Sequence, residues 1–249
     1  MLKCDQMGKE LDFLGNIRYP DIRMLHDMDE VVHDKAWLRS KENFELYYMY
    51  RDLSKNESDH KIIVEHGLRY DITIIPPAML GDEFVKTAGH YHPPVPGHEM
   101  SYAELYQVLE GEATYLLQKA EGDRIVDVIV CEAKAGDLAL VPPGYGHITI
   151  NASDKTLKMA NWVCRDFSSL YDPIKKLFGG AYYLLTGGFV KNPDYPEVPE
   201  IRFVKPMDYP EAGLFCGKDM YEIVTDISKL DFLVNPQDHM DMFGKMISP

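Results

Sequence analysis

Short runs of β-branched and aromatic residues recur at close intervals between residues 61 and 163, each bounded by Gly, Pro, Asp or Asn. Runs this short and this frequent are typical of an antiparallel sandwich or closed barrel, whereas βαβ units would place longer helices between them. The sequence therefore predicts an all-β fold. The expected strands cover residues 61–65, 70–75, 103–109, 113–118, 125–131, 138–141, 147–151 and 158–164.

The segments outside this region predict elements that pack around a barrel. We expect residues 1–59 to form an arm with strands, residues 60–165 the barrel, and residues 166–249 a helix, strands and a tail in the same domain. Whether residues 207–249 pack on the barrel or on a partner subunit is left open. Further expectations are helices over 29–39 and 166–178, strands over 44–50 and within 181–206, a loop over 54–59, and a tight hairpin turn at 110–112.

The composition excludes several classes of partner. A formal net charge of -14 argues against nucleic acid, because an acidic surface repels the phosphate backbone. No apolar run approaches the roughly 18 residues of a membrane helix, and the N-terminal residues lack the apolar core of a signal peptide. We therefore expect a cytoplasmic protein. Its cysteines lie outside any CxxC pair and are expected to be reduced and mostly buried: Cys4, Cys131, Cys164 and Cys216.

Two histidines stand apart from the others. His90 and His92 are separated by one residue, and side chains at i and i+2 of a strand point to the same face. Such a pair offers two imidazoles side by side to a metal ion. Two ligands do not complete a site, so a third and a fourth are expected elsewhere in the chain.

Two later segments have a distinctive spacing. Glu104 starts a β-prone run that ends at Gly111, with six residues between them, and the pattern G-x5-P-x-G-x2-H-x3-N runs from Gly136 to Asn151. Together with the histidine pair, these segments resemble the two cupin motifs. The resemblance implies a cupin (jelly-roll) barrel with a few peripheral helices. Within the second motif, the turn at Pro142 and Gly144 is expected to deliver His147 to the barrel interior.

The expected metal ligands are His90, His92, Glu104 and His147. Three imidazoles and one carboxylate suit a divalent ion, one per subunit, with open coordination positions; we favour Fe(II), and Mn(II), Ni(II) and Zn(II) also fit. The carboxylate has a rival in Glu99, which lies closer to His92, because the gap to Glu104 is longer than usual for a cupin. We prefer Glu104 because only it has the spacing to Gly111. Residues 93–102 would then form a loop over the site.

The local sequence is more specific than the fold. Residues 86–92 read KTAGHYH, and residues 103–106 read AELY. These segments resemble the archaeal-type, cupin glucose-6-phosphate isomerase family over roughly residues 45–206. The resemblance implies a metal-dependent aldose–ketose isomerase that interconverts glucose 6-phosphate and fructose 6-phosphate in glycolysis and gluconeogenesis. It also implies a homodimer.

Matching the family's motifs position by position implies roles for individual residues. Thr73, Thr87 and Gly89 would hold the phosphate, and Tyr106 would lie beside the sugar. Candidate aromatic substrate contacts after the second motif are Trp162 and Tyr171. His147 and Glu104 would also serve catalysis, Glu104 as the base if an enediol forms; a direct hydride shift between C1 and C2 is the other route. Lys86 and Arg165 are candidates for adding positive charge near the phosphate.

Two other functions stay open. An Fe(II) cupin dioxygenase could use the same metal ligands, but it has no need of the phosphate-holding pair Thr73 and Thr87. A non-catalytic sugar-binding cupin is the second alternative. A complete four-ligand set argues against it, because binding alone rarely requires a metal ion with open positions.

Overall fold

Strands dominate the fold, and the helices are short and peripheral. The computed structural model describes residues 9–247, with side chains as far as Gly244. The all-β architecture predicted from the sequence is confirmed. In chain order the strands are β1 Leu11–Phe13, β2 Asn16–Arg18, β3 Asp21–Met24, β4 Glu45–Tyr50, β5 Leu68–Ile75, β6 Met79–Leu80, β7 Glu83–Phe84, β8 Glu104–Glu110, β9 Glu112–Glu121, β10 Arg124–Lys134, β11 Leu138–Val141, β12 Tyr145–Ile150, β13 Leu157–Cys164, β14 Tyr182–Leu185, β15 Gly188–Lys191 and β16 Arg202–Val204.

Two sheets face each other around the main core. The first has six strands in the order β11-β8-β13-β5-β4-β3, and the second has four in the order β12-β9-β10-β16. Among the described strands only β10 and β16 pair in parallel. Tyr106 and Val108 of the first sheet pack with Tyr115 and Leu117 of the second. This is the arrangement of a cupin barrel, as the sequence predicted.

The predicted hairpin at residues 110–112 is wrong. Although β8 ends at Glu110 and β9 begins at Glu112, the two strands belong to different sheets. Gly111 carries the chain between the sheets with φ +78°, and a Cβ there would lie 2.5 Å from the carbonyl oxygen of Thr156. Only glycine adopts a positive φ at little cost and also leaves room for this carbonyl oxygen. The spacing from Glu104 to Gly111 therefore equals the length of β8, and it fixes Glu104 at the strand's beginning.

The strand predicted over residues 61–65 is also wrong, because these residues lie in helix α2 (Glu57–Glu65). The predicted loop over 54–59 is correspondingly shorter. Asn56 caps the helix, its side chain accepting a hydrogen bond from the Asp59 backbone N–H. Ile63 is buried while Val64 is 39% exposed, so the short apolar run has one buried helical face. Short apolar runs do not distinguish a strand from a helix by pattern alone.

Both predicted helices are shorter than expected. Of residues 29–39 only α1 (Lys35–Arg39) is α-helical, and of residues 166–178 only α3 (Asp172–Lys175). Leu170 is held in an extended conformation instead, because its N–H donates to Tyr91 O at 2.8 Å and its carbonyl accepts from Tyr91 N at 3.0 Å. This pairing draws the segment before α3 across the histidine motif.

The C-terminal tail packs on the outer face of the six-stranded sheet. It contains 3-10 turns at Pro210–Ala212, Met220–Leu233 and Pro236–Asp238, followed by helix α4 (Met240–Ile247). Tyr221, Leu230 and Phe232 of the tail form a second buried cluster with residues of β5, β8 and β13. The six-stranded sheet is therefore covered on both faces, by the barrel interior and by the tail.

The other predicted strands and the cysteines can also be compared with the structure. The strands predicted over 44–50, within 181–206 and between residues 70 and 164 are present, with ends shifted by a few residues. Cys131, Cys164 and Cys216 are free thiols, the first two buried, while Cys4 lies outside the described residues. In the part of the chain that the structure describes, no helix is long and apolar enough to cross a membrane. The division of the chain at residues 60 and 166 stays a prediction.

Candidate metal centre and pocket

Four side chains predicted as metal ligands meet between the two sheets. One ligand atom from each of His90, His92, Glu104 and His147 lies within 4.8 Å of all the others. Three of these residues are buried and His90 is half-buried. Glu104 comes from the first residue of β8, and His147 from β12 in the facing sheet.

The turn before β12 delivers His147 to the interior between the sheets, as the second motif predicted, and the structure places it opposite His90. Gly144 has φ +85°, and the Tyr145 N–H donates to the Pro142 carbonyl at 3.3 Å. His90 and His147 then pair as neighbouring strand residues, and their rings lie 4.4 Å apart between centroids. Alternation along the chain places His92 on the same side as His90, with ring centroids 5.2 Å apart.

A backbone hydrogen bond fixes the tautomer of His92. Its Nδ1 lies 3.1 Å from the carbonyl oxygen of Tyr102. A carbonyl only accepts, so Nδ1 carries the proton and Nε2 presents its lone pair to the site. That Nε2 is 3.2 Å from Glu104 Oε2, and His147 Nε2 lies at the same distance from the same oxygen. The Tyr106 hydroxyl is 3.1 Å from His147 Nε2.

Burial and mutual contacts shift the pKa values of His90, His147 and Glu104. It lowers the pKa of His90 well below its ordinary value, with His147 and His92 adding to the effect. It also lowers the pKa of His147, although Glu104 opposes this. Burial alone would raise the pKa of Glu104, but contacts with His147 and His92 outweigh it, and the pKa of that carboxyl lies well below its usual range. Neutral imidazoles and an ionised carboxylate are the forms that bind a divalent cation.

The donor set fits a divalent metal ion. His92 Nε2, Glu104 Oε2 and His147 Nδ1 are buried, and none has a hydrogen-bond partner of acceptable geometry in the described structure. The 3.2 Å contacts of Glu104 are therefore close approaches rather than well-formed hydrogen bonds. Each buried polar atom left without a partner costs about 1–3 kcal/mol. A cation bound beside His92 Nε2 and Glu104 Oε2 would satisfy both of these atoms as nitrogen and oxygen ligands.

The rival carboxylate does not reach this centre. Glu99 is exposed, in the loop between His92 and β8, and it does not belong to the cluster of candidate ligands. The same loop holds its shape through backbone hydrogen bonds such as that from Val95 N to Met100 O at 2.8 Å. Of the two carboxylates left open by the sequence, Glu104 is the one that the structure brings to the histidines.

A pocket of about 670 Å³, including its mouth, opens beside the metal centre. Five predicted substrate contacts line it: Thr73, Thr87, Gly89, Tyr106 and Tyr171. Their roles toward substrate stay predictions. Gly89 also has a structural requirement for glycine, because its φ is +74° and a Cβ would lie 2.5 Å from the Ile148 side chain.

Trp162 does not line the pocket, so its prediction as a substrate contact is wrong. Its neighbours Asn161 and Val163 point into the pocket, and alternation along β13 turns Trp162 to the opposite face. There its indole N–H donates to the Met220 carbonyl at 3.1 Å, and its ring lies 4.8 Å from that of Tyr70. Trp162 is fully buried beneath the C-terminal tail.

The position of Trp162 leads to a stability prediction. Trp162→Phe is expected to lower the free energy of unfolding by about 1–3 kcal/mol, because it leaves a gap and a buried carbonyl without its donor. The KM for substrate should not change, since the pocket is untouched. Denaturant unfolding and steady-state kinetics measure the two effects. A raised KM at unchanged stability would instead place the indole in contact with substrate.

Several pocket residues were missed by the sequence analysis. Phe167 and Ser169 line the pocket from the extended segment before α3, where a helix was predicted, and the Phe167 ring lies 4.6 Å from that of His92. Three charged residues also line it: Arg51, Arg69 and Asp71. Arg69 and Asp71 precede Thr73 at intervals of two, so strand alternation alone could have placed them on its face.

The two cations proposed from sequence lie elsewhere. Lys86 is buried and forms an ion pair with Glu83. Arg165 pairs with Asp52 at 3.2 Å and donates to the Leu68 carbonyl. Neither residue lines the pocket. The positive charge available to an anionic ligand therefore comes from the two arginines that the sequence analysis did not select.

The family model and the relatives found by sequence agree on one family. A family model described as glucose-6-phosphate isomerase matches residues 22–200. The glucose-6-phosphate isomerase of Thermococcus litoralis is 32% identical over 161 residues, which span 61% of this chain and 74% of that protein. That of Pyrococcus furiosus is 32% identical over 157 residues, or 61% and 75% of the two chains. Among solved structures, a deletion mutant of Bacillus subtilis oxalate decarboxylase matches with a TM-score of 0.37 and 19% sequence identity. The match covers 51% of this chain and 28% of that chain, and a similarity this low has no bearing on function.

Proposed function

The chain belongs to the glucose-6-phosphate isomerase family, and on that premise we propose that it is a metal-dependent aldose–ketose isomerase acting on glucose 6-phosphate and fructose 6-phosphate. The observation that carries the proposal is the cluster of three histidines and one glutamate at the wall of a pocket lined by threonine and arginine side chains. The family supports the isomerase activity. The cluster supports its dependence on a metal ion.

The buried side chains around the centre would hold the reacting end of the sugar. A divalent cation bound by His90, His92, Glu104 and His147 would act as a Lewis acid on the carbonyl oxygen and the neighbouring hydroxyl of the open-chain sugar. Burial raises the pKa of Tyr106 well above its ordinary value, so its phenol stays protonated and can donate to a sugar oxygen. Phe167 and Tyr171 cover His92 and His90 and would exclude water from the reacting carbons.

Hydroxyl groups of the pocket suit the phosphate. Thr73 on β5 and Thr87 in the segment leading to the histidines both line the cavity. The Thr87 hydroxyl accepts from the Thr149 N–H at 3.0 Å, which orients its own proton away from that strand. Hydroxyl groups and backbone N–H groups can bind phosphate without adding charge.

The hydrogen can move between C1 and C2 by two routes. In the enediol route from glucose 6-phosphate, the Glu104 carboxylate removes the proton from C2 and returns it to C1, and a proton passes from the C2 oxygen to the C1 oxygen. In the other route, hydride passes directly from C2 to C1, with the same transfer of a proton between the oxygens, while the side chains hold the sugar in place. A carboxylate bound to a cation is a weaker base than a free carboxylate, which favours the hydride route. Isomerisation in deuterated solvent distinguishes them, because only proton removal exposes the hydrogen to exchange.

Metal removal tests the proposal directly. Fructose 6-phosphate should be converted to glucose 6-phosphate by the purified protein, and dialysis against a chelator should abolish at least about 99% of the rate, as expected when an essential Lewis acid is removed. Adding back Fe(II), Mn(II), Ni(II) or Zn(II) singly should restore it to different extents. A coupled assay of glucose 6-phosphate measures the rate. Activity that survives complete removal of metal would contradict the proposed dependence.

The same samples address the two alternatives. Oxygen uptake by the Fe(II)-loaded protein, without formation of glucose 6-phosphate, would indicate a dioxygenase. Sugar phosphate binding without turnover under any metal would indicate a binding protein. A homodimer is part of the proposal by family resemblance alone, and sedimentation at assay concentration tests it separately.

A further inference from the structure

A charged trio lines the pocket wall beside Thr73. Three residues at alternate positions of β5 face the cavity: Arg69, Asp71 and Thr73. Arg51 also lines it, directly after the neighbouring strand β4. The Asp71 side chain is only 5% exposed, whereas those of Arg69 and Arg51 are 25% and 39% exposed. A carboxylate is thus buried behind two arginines that reach the cavity.

Asp71 is fully engaged in holding this wall. Its Oδ1 accepts from the Asp52 N–H at 2.8 Å and from Arg69 Nε at 3.0 Å, and its Oδ2 accepts from the same Nε at 2.9 Å. Arg51 Nη1 lies 3.6 Å from Oδ2. Burial raises the pKa of the Asp71 carboxyl, with Arg69 the main opposing influence. Among the described residues, Arg69 has no carboxylate partner besides Asp71, whereas Arg51 also pairs with Asp21.

The guanidinium groups of Arg51 and Arg69 differ in which of their N–H donors are available to a ligand. Arg51 also donates from Nε to Asp21 at 3.0 Å and from Nη2 to the Met49 sulfur at 3.3 Å. Arg69 contacts Asp71 through Nε alone, and among the described residues its two Nη groups have no hydrogen-bond partner. Those groups carry four of the five N–H donors of the side chain, in a planar arrangement that matches the oxygens of a phosphate.

The sheet register places Arg69 within reach of a sugar phosphate bound at the metal centre. Arg69 is opposite Val163 on β13, and Val163 is opposite Glu104 on β8. Two strand spacings therefore separate Arg69 from the glutamate ligand, or about 10 Å between backbones. Thr73, the predicted phosphate contact, lies four residues further along β5 on the same face of the strand as Arg69.

We propose that Arg69, oriented by Asp71, is a substrate-binding residue that contacts the phosphate group and supplies the positive charge that the threonine hydroxyls lack. This inference rests on the proposed function for the identity of the sugar. Asp71 is a positioning residue in this scheme, because it holds Nε and so turns both Nη groups to the cavity. In a chain with a net charge of -14, a local cation would offset the repulsion that an anionic substrate meets.

Kinetics of matched variants test the proposal. Arg69→Gln should raise the KM for fructose 6-phosphate about 10- to 100-fold, the loss expected for a charge-assisted hydrogen bond, while kcat changes little. The inhibition constant of inorganic phosphate should rise in parallel. Arg69→Lys should recover part of the affinity, because lysine keeps the charge without the planar pair of donors. Arg124→Gln is the control, since it removes one exposed arginine at the start of β10, away from the pocket.

A merely structural role gives a different result. If Arg69 only neutralises Asp71, then Arg69→Gln lowers the melting temperature and leaves both KM and the phosphate inhibition constant within about twofold of the wild type, which overturns the proposal. Should Arg69→Gln fail to fold, the double variant Arg69→Gln with Asp71→Asn removes the unpaired buried carboxylate. Its KM for fructose 6-phosphate and its inhibition constant for inorganic phosphate are then measured instead. Calorimetric titration of wild type and variants with inorganic phosphate needs no turnover. It decides the role of Arg69 even if the wild-type protein shows no isomerase activity, in which case the proposed function fails separately.

Discussion

Replacing His147 with alanine is expected to eliminate both bound metal and isomerase activity. His147 lies at the middle of the candidate centre, with its Nε2 3.2 Å from Glu104 Oε2 and its ring 4.4 Å from that of His90. Removing partners that only orient metal ligands typically costs 10- to 100-fold in affinity, so loss of a ligand should exceed about 100-fold. Metal content by mass spectrometry and the coupled assay measure the two effects, and His90→Ala should behave in the same way.

A matched substitution separates the loss of a ligand from the loss of any histidine. His60→Ala changes a half-buried residue of α2, outside the cluster of candidate ligands. It should keep the metal content and activity of the wild type within about twofold. If His147→Ala folded, retained one metal ion per chain and kept most of its activity, the metal centre would have to lie elsewhere.

Glu104→Gln is expected to reduce activity by more than about 100-fold, whereas Glu99→Gln should change it by less than about twofold. The glutamine keeps nearly the same shape but removes the negative charge of the carboxylate, whose Oε2 lies 3.2 Å from His92 Nε2 and from His147 Nε2. It removes the charge that balances a divalent cation and, if the enediol route operates, the base as well. Glu99 is the matched control, because it is exposed and does not reach the cluster.

Metal content tells the two contributions of Glu104 apart. If glutamine still binds metal through its carbonyl oxygen but the rate falls, the charge of Glu104 acts in the reaction beyond holding the ion. If metal and rate are lost together, its role as a ligand accounts for both. Glu99→Gln with reduced metal content and an active Glu104→Gln would reverse the assignment of the carboxylate.

The sequence determined the barrel and three of the proposed ligands. Alternation of side chains along an extended chain is local, so a single intervening residue was enough to put His90 and His92 on one face. The turn at Pro142 and Gly144 is local too, and it fixes where His147 enters the facing sheet. The strands between residues 70 and 164 are confirmed for the same reason, since each depends on its own short pattern.

The tertiary structure decided which faces and which distant residues come together. Glu99 and Glu104 differ by five positions, and only the end of the loop at β8 shows which carboxylate reaches the histidines. Trp162 lies on a predicted strand, but alternation cannot say which face of that strand looks into a cavity. The tail that covers it, 58 residues further along the chain at Met220, gives the answer.

Arg69 shows the same division most clearly. Its place on the face of Thr73 follows from the sequence, because the two residues are separated by an even number of positions on one strand. Its free Nη groups do not follow from the sequence, because they depend on a buried carboxylate held by the backbone of Asp52 and by Arg51, which directly follows β4. Local periodicity thus fixes the direction of a side chain, while long-range packing decides whether it meets a core, a partner or a cavity.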